Sequence, residues 1–276
     1  MKRFWSVVIL VFALASLILS NACYKKLGVT TLPGIKNPAA AVSGEGGAPL
    51  EVGFAKEVIT PEGSVYMGGF GQMRKSRGVH DDLYARALVL RQGKEKLAMV
   101  AIDCVGIQRT DILKLKAGVP GFRPDQILIA STHTHSGPDT IGFWGLPPLF
   151  SGMDEKYMQR LGKAVADIIK KADAAAVPAS SFVAVYQADP SIMFNANEGE
   201  PEDHNLGLIV FKDLKGGSIA TLWNLAGHAE TMWGDNHLIT ADFPGRVNEL
   251  IEKESGAGTI FFNADLGRVG AGCSRP

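Results

Sequence analysis

Two pairs of β-prone runs, each split by a short charged break containing glycine, constrain this chain more than any other feature. Leu83 to Arg91 and Leu97 to Val105 flank Gln92-Gly93-Lys94-Glu95-Lys96, while Leu206 to Phe211 and Ile219 to Ala226 flank Asp213-Leu214-Lys215-Gly216-Gly217. Breaks of that length and composition are hairpin signals, so each pair predicts two adjacent antiparallel strands. A segment of different period lies between them. Met158, Leu161, Val165, Ile168 and Ile169 recur at helical spacing between Asp154 and Ala174, with charges on the other face. Gln126 to Ala130 reads as a further short buried strand, Pro244 to Lys253 as a helix and Thr259 to Asn263 as a closing strand. Hairpins interleaved with helical crossovers predict an α/β fold of mixed parallel and antiparallel sheets with flanking helices.

The N-terminal segment stays out of that fold. Lys2-Arg3 followed by the apolar run Phe4 to Leu19 has the charge-then-hydrophobe order of an export signal. It ends in Leu19-Ser20-Asn21-Ala22-Cys23, where a small residue directly before cysteine matches a bacterial lipoprotein cleavage site. Residues 1–23 therefore read as a lipoprotein-type signal peptide, with Cys23 lipidated and the protein tethered to a membrane of the bacterial envelope. Ser20 stands where that pattern has leucine, and a cut near Ala22 or an uncleaved anchor are the alternatives. Residues 24–50, rich in Gly, Pro, Ala and Ser without an apolar period, read as a flexible tether. Residues 51–276 read as the folded domain. Lysine plus arginine and aspartate plus glutamate balance at 28 each, so no net field draws nucleic acid, and a small neutral substrate or a lipid headgroup fits better. Cys104 sits in an apolar run and reads as a buried small hydrophobe, which leaves no cysteine metal site.

The sharpest local feature is Ile127-Leu128-Ile129-Ala130 running into Ser131-Thr132-His133-Thr134-His135-Ser136-Gly137-Pro138. An apolar strand that empties into a polar, histidine-bearing loop is where binding groups commonly sit. If strand geometry persists through the pair, His133 and His135 project to one side and share a site. Two surface histidines in a turn is the competing reading, because Ser-Gly-Pro is turn chemistry in any context. A second apolar run, Leu222 to Ala226, ends in Gly227-His228-Ala229-Glu230-Thr231-Met232, so two separate strands each deliver histidine at a C-terminal end. His133 and His228 could then meet on one ion, although two imidazoles alone do not close a zinc site.

Together these segments resemble the neutral/alkaline non-lysosomal ceramidases. The resemblance is carried by Ile59-Thr60-Pro61, Met67-Gly68-Gly69-Phe70-Gly71, Val79-His80-Asp81-Asp82 through Leu90, Val100-Ala101-Ile102-Asp103, the Thr132-to-Pro138 string, the Gly227-to-Met232 segment and Thr240-Ala241-Asp242-Phe243-Pro244-Gly245. It runs from about Phe54 to Gly267 and implies the front part of that family's catalytic domain. It further implies hydrolysis of the amide of N-acylsphingosine to a fatty acid and a sphingoid base, with Zn2+ as cofactor. His133 and His228 fall on zinc ligands, and His135 on a site histidine that assists proton transfer. His80, Asp103 and Asp242 lie inside matched segments and are given supporting roles, with a loop salt bridge and turn capping as structural alternatives for His80 and Asp242. His204 and His237, with charged or polar neighbours, are expected at the surface.

Three departures accompany the match. The family's remaining ligands, a glutamate and a tyrosine, come from sequence beyond this chain. After Phe261-Phe262-Asn263-Ala264-Asp265-Leu266-Gly267 the similarity stops, Gly270 stands where the family has a serine implicated as nucleophile, and Ser274 belongs to no matching motif; a frameshifted or truncated reading frame is the expectation drawn from this. Phe194-Asn195-Ala196-Asn197 lacks the arginine of the family's substrate-contacting segment. A hydrolase of another envelope amide or ester, or an inactive lipid-binding fragment, are therefore the alternatives.

Overall fold

A computed structural model describes residues 30–31, 48–197 and 199–271; the stretch read as a signal peptide with Cys23, most of residues 24–47, Cys273 and Ser274 lie outside the described residues. The strands are β1 (Thr30–Thr31), β2 (Leu50–Val58), β3 (Gly78–Val79), β4 (Tyr84–Gln92), β5 (Glu95–Ile102), β6 (Ile127–Ser131), β7 (Val177–Gln187), β8 (Met193–Asn195), β9 (Asn205–Asp213), β10 (Ser218–Leu225), β11 (Leu238–Ile239), β12 (Gly258–Asn263) and β13 (Val269–Ala271). The helices are α1 (Arg109–Ala117), α2 (Glu155–Ala174) and α3 (Asp242–Ser255). Both expected hairpins form, β4 with β5 and β9 with β10, each antiparallel.

The main sheet runs β12-β10-β9-β7-β2-β4-β5-β6, with β1 beside β7. It is narrowest in the middle, where β2 and β7 share the residue pairs Glu51 with Pro178 and Val52 with Val177. The two halves fold over that joint and face each other. Val52, Leu88 and Ala101 of one half meet Phe211, Ala220 and Ile260 of the other in a buried layer. The outer face of the β2-β4-β5-β6 half carries α2, through Ala85, Ala87, Val89, Val100 and Ile102 against Leu161, Val165, Ile168, Ile169 and Ala172. The outer face of β10 and β12 carries α3, where Trp223 and Phe261 stack with centroids 4.3 Å apart and pack with Ile251. Four layers result, helix, sheet, sheet and helix. Sandwiched strands bury both faces, which is why β4 reads as a continuous apolar run rather than an alternating one.

Local chemistry sets the helix ends. Asp154 caps α2 by accepting from the amides of Lys156 and Tyr157 at 2.9 and 3.2 Å, and α3 stops at Gly256, which takes the left-handed conformation at φ 65°. Strand β2, strand β7 and helix α1 were not foreseen. Helix α1 buries Leu115 alone among its residues, so it presents no apolar stripe to read. Thr30–Thr31, inside the stretch read as a tether, pair with Tyr186 and Gln187 of β7.

Both parallel pairs of the main sheet are strand-helix-strand crossovers, β5-α1-β6 and β10-α3-β12. A parallel pair brings its two C-terminal ends to the same edge: Ile102 lies beside Ser131, and Leu225 beside Asn263. The Asn263 side chain donates from Nδ2 to the carbonyl of Thr132 at 2.8 Å, linking the carboxyl ends of the two pairs.

A buried ion pair sits beneath that edge. Asp103, 1% exposed, accepts from the Tyr84 amide at 2.7 Å and from Arg86 Nη1 at 3.1 Å. Burial pushes the Asp103 carboxyl above its ordinary range, and the Arg86 guanidinium opposes that rise. Replacing Arg86 with Met leaves an uncompensated buried carboxylate, a loss of about 3–5 kcal/mol for a broken buried pair. A folded-state pKa raised for an acid weakens the fold as pH rises, so Arg86→Met should regain part of its lost stability as pH falls towards about 4, where the unfolded carboxyl also takes its proton. Urea unfolding of both proteins across that range measures this.

Candidate metal centre

Three histidines meet at the joined strand ends. His133 follows β6 and His228 follows β10, and their ring centroids lie 4.9 Å apart. His135 stands 4.8 Å from His133 and 5.5 Å from His228, ring to ring. One nitrogen from each falls within 4.8 Å of the others, so this cluster of three imidazoles could hold a metal ion.

The local geometry differs from the expected strand alternation. Strand β6 ends at Ser131, and His133 takes φ 66°, a left-handed conformation costly for a residue with a Cβ. Its amide donates to Cys104 at 3.0 Å and holds it there. His135 is placed from elsewhere, by its amide donating to Ala229 at 2.9 Å, in the loop after β10. The two rings therefore converge through tertiary hydrogen bonds rather than through pleat.

The Nδ1 partners divide the three rings. His133 Nδ1 lies 2.5 Å from the carbonyl of Val105, and His228 Nδ1 lies 3.0 Å from that of Val269. A carbonyl only accepts, so each Nδ1 carries the proton and each Nε2 keeps a free lone pair, the tautomer a metal ligand needs. His135 has no formed hydrogen bond at either ring nitrogen and is 8% exposed. Its Nδ1 lies 3.2 Å from Oε2 of Glu230. Burial, joined by the neighbouring His133, His228 and Arg74 charges, pushes His135 down to about 3, and burial lowers His133 as well. Both shifts favour the neutral ring, the form a metal requires. The free Nε2 lone pairs of His133 and His228, turned to one place, thus fit a metal ion.

The supporting residues fall apart. Asp103 buttresses the loop from beneath, as described above. Asp242 opens α3 at φ 58°, buried, and accepts from the Thr231 hydroxyl at 2.8 Å and the Phe243 amide at 2.7 Å; burial raises its carboxyl. His80 is exposed and pairs with Asp81 at 2.6 Å, outside the cluster. His204 and His237 are half-buried rather than on the surface, the first 3.1 Å from Glu202 and the second held through Nδ1 to the Lys75 carbonyl. Cys104 is a buried free thiol in the core, as expected.

Arg74 and Glu230 were missed. The Arg74 guanidinium, 6% exposed, donates to the carbonyls of Asn236 at 2.8 Å, Gly68 at 2.9 Å, and His135. Nothing in its neighbourhood distinguishes it in sequence, whereas Glu230 stands two residues after His228 in a motif already singled out. Gly69, at φ 108°, lets its loop lie against His135: a Cβ there would come 2.4 Å from His135 Cγ.

Comparison with known proteins decides the family. The profile described as neutral/alkaline non-lysosomal ceramidase, N-terminal, matches residues 50–266. The chain belongs to that family. The neutral ceramidase of Pseudomonas aeruginosa is 23% identical over 246 residues, covering 80% of this chain and 37% of the relative. Neutral ceramidase B of Dictyostelium discoideum is 26% identical over 220 residues, covering 70% of this chain and 30% of the relative. The crystal structure of the Pseudomonas aeruginosa enzyme superposes with a TM-score of 0.72 at 24% identity, over 82% of this chain and 40% of that one. The mixed sheets with flanking helices are thereby the fold of a neutral ceramidase, and the chain spans about 37% of the first of these relatives.

Gly270 lies beside His228 in an isolated parallel bridge, and β13 pairs it with Phe194 of β8. A Cβ at Gly270 would come 2.6 Å from Phe194 Cζ, so the ring occupies the space a side chain would need. Gly270→Ser should therefore lower the melting temperature, and adding Phe194→Ala should restore part of the loss; equal effects of the single and double variants would show that the ring yields freely.

Proposed function

We propose that this chain carries the histidine half of a zinc centre that hydrolyses the amide bond of ceramide, releasing a fatty acid and a sphingoid base. The observation that carries the reading is the pairing of His133 and His228 Nδ1 with the main-chain carbonyls of Val105 and Val269, which orients both Nε2 atoms as ligands. Membership of the family and relatives named neutral ceramidases supply the substrate class.

His133 and His228 would hold the ion, and two imidazoles alone do not close a zinc site. Zinc, when bound, supplies Lewis-acid polarisation of the amide carbonyl and of a water molecule. His135 is kept neutral by its enclosure and stands beside both ligands. In that state it takes the proton as water oxygen bonds to the carbonyl carbon, and returns it to the amine nitrogen as the C–N bond breaks. Arg74 and Ala229 hold the His135 backbone in place through the bonds described above.

A hydrolase of another envelope amide or ester is the second reading. It is favoured by the β8 segment, where Asn195 spends its amide on Glu202 and its side chain on the Pro201 carbonyl, and where Ala196 offers no cation to a sphingoid headgroup. Metal analysis of the purified protein at its natural full length should find stoichiometric zinc, and His133→Ala should lose both the zinc and hydrolysis. A panel of ceramides, N-acyl amino acids and simple esters separates the two readings, and a wild type that retains no metal after zinc loading overturns both.

We further infer that the Lys2-Arg3 and Phe4-to-Leu19 segment exports the protein and that Cys23 is lipidated, tethering it to a bacterial envelope membrane beside lipid substrates. No helix among the described residues is long and apolar enough to cross a membrane. Metabolic labelling with a fatty acid should mark the wild type and not Cys23→Ser.

A further inference from the structure

We propose that Glu230 is the positioning residue for His135, fixing which ring nitrogen carries the proton and where the ring points. The inference rests on the reading of His135 as the proton carrier for its catalytic consequence, but its structural part stands on geometry alone.

His135 presents a satisfaction problem. A neutral imidazole has one N–H to place, and a buried donor left without an acceptor is destabilising. The ring of His135 is 90% enclosed by its side-chain exposure of 10%, and neither nitrogen has a formed hydrogen bond. Its ring neighbours do not solve the problem. His133 and His228 keep their Nε2 lone pairs for the ion and neither forms a hydrogen bond with His135, Phe70 meets the ring edge-on at 5.0 Å, and the Arg74 guanidinium binds the His135 carbonyl rather than the imidazole. The Glu230 carboxylate, itself 17% exposed, is the acceptor within reach, at 3.2 Å from Nδ1. The approach is off the N–H direction; the terminal torsion of histidine is broad, so a turn of the ring would bring the pair into line.

The backbone delivers Glu230 to this place. His135 donates its amide to Ala229, the residue before Glu230, so the two side chains start from hydrogen-bonded neighbours. On one side of Glu230 the segment is pinned by His228, whose amide also bonds Val269 at 2.8 Å; on the other, Thr231 bonds Asp242 at the start of α3. A carboxylate held at Nδ1 selects the Nδ1–H tautomer and leaves Nε2 as the basic nitrogen of His135. That is the same assignment the carbonyls of Val105 and Val269 impose on the other two rings.

The test uses the full chain labelled with 15N-histidine, with His135→Gln assigning the His135 signals. In zinc-free wild type the His135 Nδ1 should show the shift of a protonated nitrogen and Nε2 that of a bare one. Glu230→Leu should move the proton to Nε2 or average the two, while Glu230→Gln, whose amide oxygen still accepts, should keep the wild-type pattern. In the zinc-loaded protein at its natural full length both variants should retain their zinc; in Glu230→Leu kcat should fall by about 10- to 100-fold with KM little changed, the usual cost of losing an orienting partner, while Glu230→Gln and Glu230→Asp, which still offer an acceptor, should recover part of it. An unchanged tautomer in Glu230→Leu overturns the proposal, as does an unchanged kcat. If the wild type binds no zinc and hydrolyses nothing in the substrate panel, the functional reading falls, and the tautomer measurement alone decides the role of Glu230.

Discussion

The site depends on one main-chain hydrogen bond, from the amide of His135 to the carbonyl of Ala229. It ties the loop after β6 to the loop after β10, and those loops belong to different halves of a sheet folded on itself. Without it His133 and His135 would line the end of one strand pair and His228 the end of another. The Asn263 side chain on the Thr132 carbonyl makes a second tie between the same two edges. Both are polar bonds at the rim of an apolar sandwich, so the buried layer between the sheets brings the edges close and these bonds set their register.

Rigidity around the cluster comes from groups that do no chemistry. Arg74 collects three carbonyls, Asp103 and Arg86 neutralise each other beneath the loop, and Gly69 allows a backbone to lie where a Cβ would strike His135. Such buried polar groups are costly unless paired, and here their pairings hold the imidazoles at ring separations of 4.8 to 5.5 Å. The left-handed backbone at His133 is strain of the kind that persists where surrounding bonds over-determine a residue.

Much of the fold was legible because local rules and tertiary structure agreed. The hairpins β4-β5 and β9-β10 were announced by their breaks, and α2 by a long apolar stripe that packs on a sheet. Strand β7 was hidden by its Ala- and Ser-rich start, and α1 by its lack of a buried face. Among the site residues, His133, His135 and His228 could be named from the way two apolar runs end. Arg74 could not, because its role is defined by three carbonyls from separate segments.

By itself the sequence determined the hairpins, the long helix, the histidine-bearing strand ends and the family to which they belong, since each is written in a contiguous stretch whose period or motif survives without the rest of the chain. The tertiary structure decided how the sheet folds over its narrow β2-β7 joint, how His133 and His135 converge despite the broken strand geometry, and which carbonyl or carboxylate faces each imidazole. Those outcomes rest on hydrogen bonds between residues as distant as His135 and Ala229 or Asn263 and Thr132. A partner so remote leaves no periodicity in either local sequence, because its position is set by the packing of both sheet halves.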